Sequence, residues 1–329
     1  MKRINFIKKN NWCESLQYLK DEDLGLQKVL FTGLDCSGKS SITYALQREF
    51  SKIANIEPTK SAQRHIFEYL SMSLSIWDLG GQEKYRISYL KSPGKYFDKT
   101  NVAIYVIDIL DKERIGEALS YLADVIAQFK KLQIEPPIYI FFHKYDPSMD
   151  EKAQGESDDF ILDLIDKIIK ITKYDKFKYF KTSIYDLSTI IMAMSEIFLT
   201  FYPKANLIQE SIKAFANKLK AEGVEIIDNN SLIVASFYKS EIVKDILNQS
   251  TPYFLTLNDS FQYGESEKSE ETPDEKMIIE RLGKYFLFFQ FKMKKESPPY
   301  YLLCVKNDPE FNREEYLTFV KILKEILYK

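Results

Sequence analysis

Apolar runs alternate with amphipathic stretches through the first two thirds of the chain. Residues 27–33 and 101–110 are almost continuously apolar, which is typical of strands covered on both faces of a sheet. Residues 39–53 and 113–132 carry apolar side chains at helical spacing. The alternation continues with a hairpin at 65–79, strands at 137–144 and 177–183, and helices at 158–171 and 187–201. This order predicts an α/β domain with a mostly parallel sheet and helices on both faces.

The pattern changes near residue 204. The elements then follow the order α-β-β-α-β-β-β-α, with helices at 205–221, 240–248 and 314–327 and strands at 224–228, 231–237, 277–282, 284–293 and 299–306. The acidic stretch 265–276 is poor in apolar residues and is expected to be an exposed loop or mobile insertion. We therefore divide the chain into an N-terminal extension (1–26), an α/β domain (27–203) and an α+β domain with one antiparallel sheet (204–329).

Composition restricts the classes of partner. The 329 residues are 45% apolar and 29% charged with a net charge of −2, which gives no electrostatic case for nucleic acid or an anionic membrane as the main partner. Three widely spaced cysteines indicate a reducing cytoplasm without disulfides. No apolar run is long enough to cross a bilayer, so membrane association is expected only through partners or a weak N-terminal helix. Packing of the extension on one of the domains is favoured over that helix.

A glycine-containing loop follows the first predicted strand. Residues 33–40, GLDCSGKS, fit the pattern G-x-x-x-x-G-K-[ST] between a strand and a helix, which distinguishes a phosphate loop from a turn with a surface lysine. Gly33 and Gly38 let the backbone curl so that its N–H groups converge on a β-phosphate. The loop residues expected to bind phosphate in this way also include Asp35, Cys36 and Ser37.

The residues that open the following helix supply the remaining groups for a bound phosphate chain. Lys39 places a positive charge at the β- and γ-phosphates. Ser40 offers a hydroxyl to Mg²⁺, and Ser41 can donate to the α-phosphate. These residues predict a nucleotide held together with a magnesium ion.

A second segment is suited to sense a γ-phosphate. In residues 77–86, WDLGGQEKYR, Asp78 is placed at a strand end to hold Mg²⁺ through a water. Gly81 lacks a side chain and can bring its amide to the γ-phosphate, and Gln82 can orient the attacking water. Arg86 is near this segment but is expected to contact a partner or solvent.

Upstream of that segment, Thr59 is the predicted hydroxyl that closes over Mg²⁺ only when a γ-phosphate is present. Ser61 and Thr32 are the alternative hydroxyls nearby. The sequence alone favours Thr59 but leaves both alternatives open.

The stretch HKYD, residues 143–146, has the spacing of a guanine-reading loop. The carboxylate of Asp146 can accept two hydrogen bonds from the N1–H and N2–H₂ edge of guanine, and adenine presents no matching donors. Lys144 is expected to lay its methylene stem along the base and its amine toward the phosphate loop. His143 occupies the position where such a loop carries asparagine. It either keeps a hydrogen-bonded tie to the phosphate loop or is a core-edge histidine without a role.

A further loop follows the next strand. In KTSIYD, residues 181–186, Thr182, Ser183 and the backbone of Ile184 are positioned to meet the guanine O6. This completes the set of residues expected to read the base.

These motifs together resemble those of a known group. GLDCSGKSS, Pro58-Thr59 and WDLGGQ are similar to the Arf-type branch of Ras-like GTPases. FFHKYD and KTSIYD resemble the Rag/Gtr GTPases, whose base-reading motif also carries His in place of Asn. The resemblance covers nearly the whole chain, because Rag GTPases carry a C-terminal roadblock domain (longin-like) of the order described above. It implies bound GTP/GDP with Mg²⁺, and a homo- or heterodimer formed through residues 204–329.

The resulting hypothesis is a GTP/GDP molecular switch in which nucleotide and Mg²⁺ order residues near Thr59 and 80–92. Lys39 and Mg²⁺ meet the developing charge, and Gln82 places the water. The side chain of Asp35 obstructs the usual approach of an activating arginine. We therefore expect slow turnover, on the order of 10⁻³ per second or less, raised by a separate activating protein and reset by an exchange factor.

Two alternatives belong to other classes. The chain could be a nucleotide-loaded scaffold subunit that acts by assembly through its second domain, with little or no hydrolysis. Mutation of Gln82 discriminates the two, because it slows hydrolysis only in a switch. An ATP-using P-loop enzyme is disfavoured by Asp146 and by the absence of a substrate-site motif.

Overall fold

The structure, a computed structural model, describes residues 26–70, 72–264, 276–281, 283–293 and 297–328. The chain divides into two compact units. Among the described residues, the first unit comprises 26–43, 51–68 and 72–181, and the second comprises 44–50, 69–70 and those from 182 onward. The predicted division at residue 203 stays a prediction. Residues 182–203 belong to the second compact unit.

A six-stranded sheet forms the centre of the first unit, with the strand order β2-β3-β1-β4-β5-β6. Strand β1 is parallel to both β3 and β4, and β4 is parallel to β5, which confirms the predicted mostly parallel sheet. The strands are β1 (Gln27–Thr32), β2 (Ala62–Tyr69), β3 (Met72–Leu79), β4 (Val102–Asp108), β5 (Ile138–His143) and β6 (Phe177–Thr182). The central strands β4 and β5 are buried along nearly their whole length, as their apolar runs predict.

In the described part of the chain, the α-helices that connect or follow these strands are α1 (Lys39–Leu46), α2 (Phe50–Ile53), α3 (Glu83–Lys91), α4 (Pro93–Tyr96), α5 (Ile115–Lys131), α6 (Glu151–Thr172) and α7 (Leu187–Leu199). The buried face of α5 repeats at helical spacing through Leu122, Val125, Ile126 and Phe129, and these side chains belong to the core of the first unit. Burial of each such side chain contributes about 1.5–3 kcal/mol. Helix α5 is thereby fixed against the sheet.

Two helix boundaries differ from the predictions. The helix expected over 39–53 is interrupted, because Arg48 takes a left-handed conformation (φ 56°) that ends α1. Helix α6 begins at Glu151 instead of residue 158, because Asp150 caps it by accepting a hydrogen bond from the amide of Ala153 at 2.8 Å. Its first two turns are polar and carry no helical periodicity of apolar residues.

The second unit contains a five-stranded antiparallel sheet with the order β8-β7-β11-β10-β9. Its elements are α8 (Ala205–Lys218), β7 (Gly223–Ile227), β8 (Ile233–Tyr238), α9 (Glu241–Gly264), β9 (Lys276–Arg281), β10 (Lys284–Lys292), β11 (Pro299–Lys306) and α10 (Arg313–Tyr328). The predicted element order is confirmed. Helix α9 runs past the predicted end at residue 248 because it continues through Pro252. The predicted insertion 265–276 lies outside the described residues, apart from Lys276, which begins β9.

Within the described ranges of the chain, none of the helices is both long enough and apolar enough to cross a bilayer.

The buried carboxyl group of Glu225, on β7, is expected to make the stability of the second unit depend on pH. It is fully buried and accepts hydrogen bonds from the hydroxyls of Tyr238 at 2.6 Å and Thr251 at 2.7 Å. Burial raises the pKa of Glu225 from 4.5 to about 7. A raised folded-state pKa contributes stability that is fully present below the unfolded pKa and is lost as the pH rises through the folded pKa.

We expect the free energy of unfolding to fall by up to about 3 kcal/mol through Glu225 as the pH rises from near 4.5 to near 7. Chemical denaturation of wild type and of Glu225→Gln at pH 5 and pH 8 measures this contribution, because the amide does not titrate. Glu241→Gln, at an exposed residue paired with Lys244, is the matched control. Equal pH dependence in wild type and Glu225→Gln would contradict the assignment.

Candidate nucleotide-binding site

The loop between β1 and α1 has a backbone that requires glycine at its two ends. Gly33 and Gly38 have φ values of 138° and 95°, and the exposed Cys36 between them is left-handed at 58°. A Cβ on Gly33 would lie 2.4 Å from the carbonyl oxygen of Val106 on β4. The loop therefore curls tightly in front of α1, with Ser37 buried within it. This is the backbone shape expected of a phosphate loop.

The amine of Lys39 is folded over this loop. It donates to the carbonyl oxygens of Leu34 at 2.5 Å and Gly33 at 3.2 Å, and it lies 3.4 Å from the hydroxyl of Ser37. Burial lowers the pKa of Lys39 to about 8, and the nearby carboxylate of Asp78 opposes that shift. The chain thus holds a cation at the loop where the β- and γ-phosphates are expected.

Three oxygen-bearing side chains meet beside the lysine. The hydroxyl of Ser40 donates to Oδ2 of Asp78 at 2.5 Å and lies 2.7 Å from the hydroxyl of Thr59. The Thr59 hydroxyl is also 3.5 Å from the same carboxylate oxygen. Of the three hydroxyls considered from the sequence, Thr59 is the one at this cluster, whereas Thr32 donates to the hydroxyl of Tyr121. Ser41 follows in the first turn of α1.

The carboxylate of Asp78 is buried, and its second oxygen, Oδ1, has no hydrogen-bond partner among the described residues. Burial raises the pKa of Asp78, and the charge of Lys39 opposes this shift. A buried carboxylate oxygen without a partner indicates a place for a cation or an ordered water. Groups of three or more His, Cys, Asp or Glu side chains suited to a metal are absent from the described part of the chain. One carboxylate with two hydroxyls nevertheless fits Mg²⁺, which needs few protein ligands when phosphates supply others.

The DxGGQ segment lies directly against the phosphate loop. A Cβ on Gly81 would be 2.1 Å from the backbone nitrogen of Asp35 and 2.4 Å from the carbonyl oxygen of Leu34. The amide of Gly80 is fixed by the carbonyl of Ser61 at 3.0 Å. Gln82 follows at the start of α3, and its side chain makes no capping hydrogen bond. The segment therefore reaches the phosphate loop with the Gln82 amide not used as a helix cap.

Arg86 holds this segment in place, and the expectation that it contacts a partner or solvent is wrong. Its side chain is buried, and its Nε donates to the carbonyl oxygen of Gly81 at 2.8 Å. The guanidinium also pairs with Glu117 on α5 and lies 5.1 Å from the ring centre of Tyr121. The sequence gives no signal for this role, because the anionic partner that fixes the guanidinium, Glu117, lies 31 residues away.

Sequence reasoning also missed Arg114, which lies directly before α5. Its guanidinium pairs with the carboxylate of Asp35 at 2.9 Å and with that of Asp111 at 2.6 Å. The hydrogen bond from Arg114 holds the pKa of Asp111 below its usual value. An Asp-x-x-Arg spacing after a strand end was the available signal, but the contact with the phosphate loop depends on the tertiary fold.

His143 ends β5 and packs against the phosphate loop. A Cβ on Gly38 would lie 2.3 Å from Cδ2 and 2.6 Å from Nε2 of this ring. The side chain is buried, and burial lowers the pKa of His143 to about 4, so the ring is neutral near pH 7. The residue thus occupies the position from which a tie to the phosphate loop is expected.

The two charged residues of HKYD follow in the loop after β5. The amine of Lys144 donates to Oδ2 of Asp108, at the end of β4, at 2.6 Å. This differs from the expected direction toward the phosphate loop, because the ion pair with Asp108 holds the amine at the end of β4. Asp146 is half-buried, and its carbonyl oxygen accepts a hydrogen bond from the amide of Met149 at 3.2 Å.

Thr182, Ser183 and Ile184 fall in the second unit, at the end of β6. Thr182 and Ser183 are buried and Ile184 is half-buried. The amide of Ser183 donates to the hydroxyl of Thr189 at 3.1 Å, and its own hydroxyl accepts from the amide of Tyr185 at 3.0 Å. The turn is therefore fixed by its own hydrogen bonds.

A mostly parallel sheet that carries a phosphate loop, an oxygen cluster suited to Mg²⁺ and a DxGGQ segment is typical of P-loop G proteins. The family model described as the Gtr1/RagA G protein conserved region matches residues 28–258. The chain belongs to the Gtr1/RagA G-protein family.

Curated relatives match over a shorter range. The chain is 33% identical over 119 residues to ADP-ribosylation factor F of Dictyostelium discoideum, across 36% of this chain and 60% of that protein. It is 34% identical over 122 residues to ADP-ribosylation factor-like protein 3 of Chlamydomonas reinhardtii, across 37% of this chain and 64% of that protein. The matches therefore span less than two thirds of these relatives' length.

One solved structure that is similar is the Arl6 BBS3 small GTPase from Trypanosoma brucei with the bound nucleotide analogue GppNp. The match covers 50% of this chain and 90% of that chain, at 22% identity and a TM-score of 0.37.

Proposed function

We propose that this chain is a GTP- and GDP-binding molecular switch that hydrolyses GTP slowly. The observation that carries the proposal is the cluster of Ser40, Thr59 and Asp78, in which a buried carboxylate oxygen lacks a partner next to the Lys39 amine. Asp78, Ser40 and Thr59 would hold a magnesium ion bound with a nucleoside triphosphate, which would give that oxygen a partner. Membership in the Gtr1/RagA family supports the same nucleotide chemistry.

The residues of the site divide into those that bind the nucleotide, those that would hold Mg²⁺ and those that act in hydrolysis. The loop amides of 35–37 and Lys39 bind the β- and γ-phosphates, and Asp146 selects guanine over adenine. Ser40, Thr59 and Asp78 would hold Mg²⁺, which neutralises phosphate charge when it is bound. Gln82 orients the attacking water, while Arg86 keeps the preceding Gly81 in position through its carbonyl.

The proposed switch consists of two neighbouring segments, since a Cβ on Gly80 would lie 2.5 Å from the carbonyl oxygen of Thr59. Thr59 and residues 80–92 are ordered when a γ-phosphate bridges them and are released after hydrolysis. Turnover on the order of 10⁻³ per second or less, raised by an activating protein and reset by an exchange factor, follows from the mechanism of this class. The proposed location is the cytoplasm, with membrane association through partners.

Replacing Gln82 by Leu tests the catalytic part of the proposal. We expect GTP hydrolysis to slow about tenfold, because the water loses its orienting amide, while GTP affinity stays within about threefold. Single-turnover hydrolysis and nucleotide titration measure the two effects separately. Gln128→Leu on α5 is the matched control and should change neither value. An unchanged hydrolysis rate in Gln82→Leu would instead support the scaffold alternative.

The second unit is proposed to be a roadblock- or longin-like dimerisation domain. Support comes from its α-β-β-α-β-β-β-α order, its sheet order β8-β7-β11-β10-β9, and exposed apolar side chains at Leu207 on α8 and Leu317 and Ile322 on α10. The partner is a second copy of this chain or a related one. Light scattering of the purified chain at micromolar concentration is expected to give the mass of a dimer. A monomeric mass would contradict a dimer of identical chains. The partner would then have to be a different chain, or the proposal of a dimerisation domain would fail.

A further inference from the structure

The guanidinium of Arg114 is held between two carboxylates at the phosphate loop. Nη1 donates to Oδ1 of Asp35 at 2.9 Å, and Nε donates to Oδ2 of Asp111 at 2.7 Å. A second nitrogen, Nη2, lies 3.5 Å from the carbonyl oxygen of Asp35. The backbone amide of Arg114 is itself bonded to the side chain of Asp111 in a 3₁₀ turn. We refer to these three residues as the Asp35–Arg114–Asp111 cluster.

Asp35 lies beside the groups that are proposed to meet the γ-phosphate, which is the phosphate that GDP lacks. Gly81, whose amide is proposed to meet the γ-phosphate, abuts the backbone nitrogen of Asp35. The Lys39 amine, which is proposed to meet the same phosphate, bonds the carbonyl of the neighbouring Leu34. A carboxylate at this position repels GTP more strongly than GDP, because GTP carries the additional charge of the γ-phosphate.

The arginine opposes that repulsion. The cluster contains two carboxylates and one guanidinium, and their side chains are only partly exposed, at 37% for Arg114, 37% for Asp35 and 25% for Asp111. Partial burial reduces screening by solvent and salt, so the charge balance of the cluster acts on a nearby phosphate. Removal of the guanidinium takes away the cation that is paired directly with both carboxylates.

We propose that Arg114 is a specificity-determining residue that sets the preference for GTP relative to GDP by neutralising Asp35. This inference rests on the proposed function, because it concerns the nucleotide of that same site. Arg114 acts through Asp35 and does not itself need to touch a phosphate. It therefore differs from an arginine that enters the site to stabilise the hydrolytic transition state.

A double-variant experiment on the full chain tests this role. The dissociation constants of GDP and of a non-hydrolysable GTP analogue are measured, in the presence of Mg²⁺, for wild type, Arg114→Gln, Asp35→Asn and the double variant. We expect Arg114→Gln to raise the ratio of the analogue constant to the GDP constant by about fivefold to tenfold. Asp35→Asn leaves that ratio unchanged or lowers it, and the double variant returns it to within about twofold of wild type.

Two controls separate charge neutralisation from a general loss of structure. Lys167→Gln removes a surface ion pair with Asp163 on α6, whose nitrogen–oxygen distance is 2.6 Å, and should leave both constants unchanged. The effect of Arg114→Gln should also shrink between low and high salt, because it is electrostatic.

Each other outcome overturns the inference in a recognisable way. If the double variant bound the GTP analogue as weakly as Arg114→Gln does, Arg114 would act on the nucleotide directly. An equal loss of GDP and analogue would show a structural role for the cluster. Guanine nucleotide binding with an unchanged ratio in Arg114→Gln would overturn this inference alone. A wild-type chain that bound neither nucleotide would overturn the proposed function and this inference together.

Discussion

Replacing Asp146 by Asn is expected to lower the affinity for GTP about a thousandfold and to create affinity for XTP. The carboxylate accepts hydrogen bonds from the N1–H and the exocyclic amino group of guanine, whereas an Asn amide directs its own N–H donors at one of them. A mismatched polar pair in a closed site leaves buried groups without partners, which is why such sites discriminate strongly. Xanthine carries a carbonyl oxygen in place of the amino group, so the amide of Asn can donate to it.

Titration of wild type and Asp146→Asn with GTP and XTP measures this exchange of specificity. Asp163→Asn, on the surface of α6, is the matched control and should bind GTP as wild type does. A gain of XTP binding cannot arise from a structural defect. Loss of both nucleotides without that gain would mean that Asp146 supports the loop and does not read the base.

The second large effect is expected for Gly81→Ala. A Cβ at this position would lie 2.1 Å from the nitrogen of Asp35 and 2.2 Å from the carbonyl carbon of Leu34, and these are backbone atoms that no side-chain rotation can remove. The DxGGQ segment must therefore move away from the phosphate loop, and the γ-phosphate loses an amide donor. We expect affinity for a non-hydrolysable GTP analogue to fall about a hundredfold, the loss of one charge-assisted hydrogen bond, while GDP affinity stays within about threefold.

The matched control for this variant is Gly155→Ala in α6, where an added Cβ meets no atom within 4 Å. Titration with GDP and the analogue is the measurement for both variants. If Gly81→Ala weakened GDP and the analogue equally, the segment would support the whole loop and would not sense the third phosphate.

Residues that act through local backbone shape could be predicted from the sequence. Gly33, Gly38, Lys39 and Ser40 follow one another between a strand and a helix, so their spacing fixes their relative positions. Asp78 follows from the end of an apolar strand, because strands parallel to β1 end at the same edge of the sheet. The structure places Ser40, Thr59 and Asp78 together, although their roles toward a nucleotide stay proposals.

Residues that act through long-range pairs could not be predicted. The partner of Asp35 is 79 residues away, and the choice of Arg114 over other nearby cations depends on how α5 packs on the sheet. The same holds for Arg86, whose anionic partner Glu117 lies 31 residues away on α5. The start of α6 was also not predicted by the periodicity of apolar residues, because Asp150 caps the helix ahead of its first apolar turn.

The proposed switch depends on guanine nucleotide binding through HKYD, although His143 replaces asparagine. This binding is tested by chromatography of the nucleotide released from the purified, denatured chain. We expect GDP or GTP at close to one molecule per chain. Recovery of adenine nucleotide at that ratio would contradict the assignment of Asp146, and with it the proposed switch.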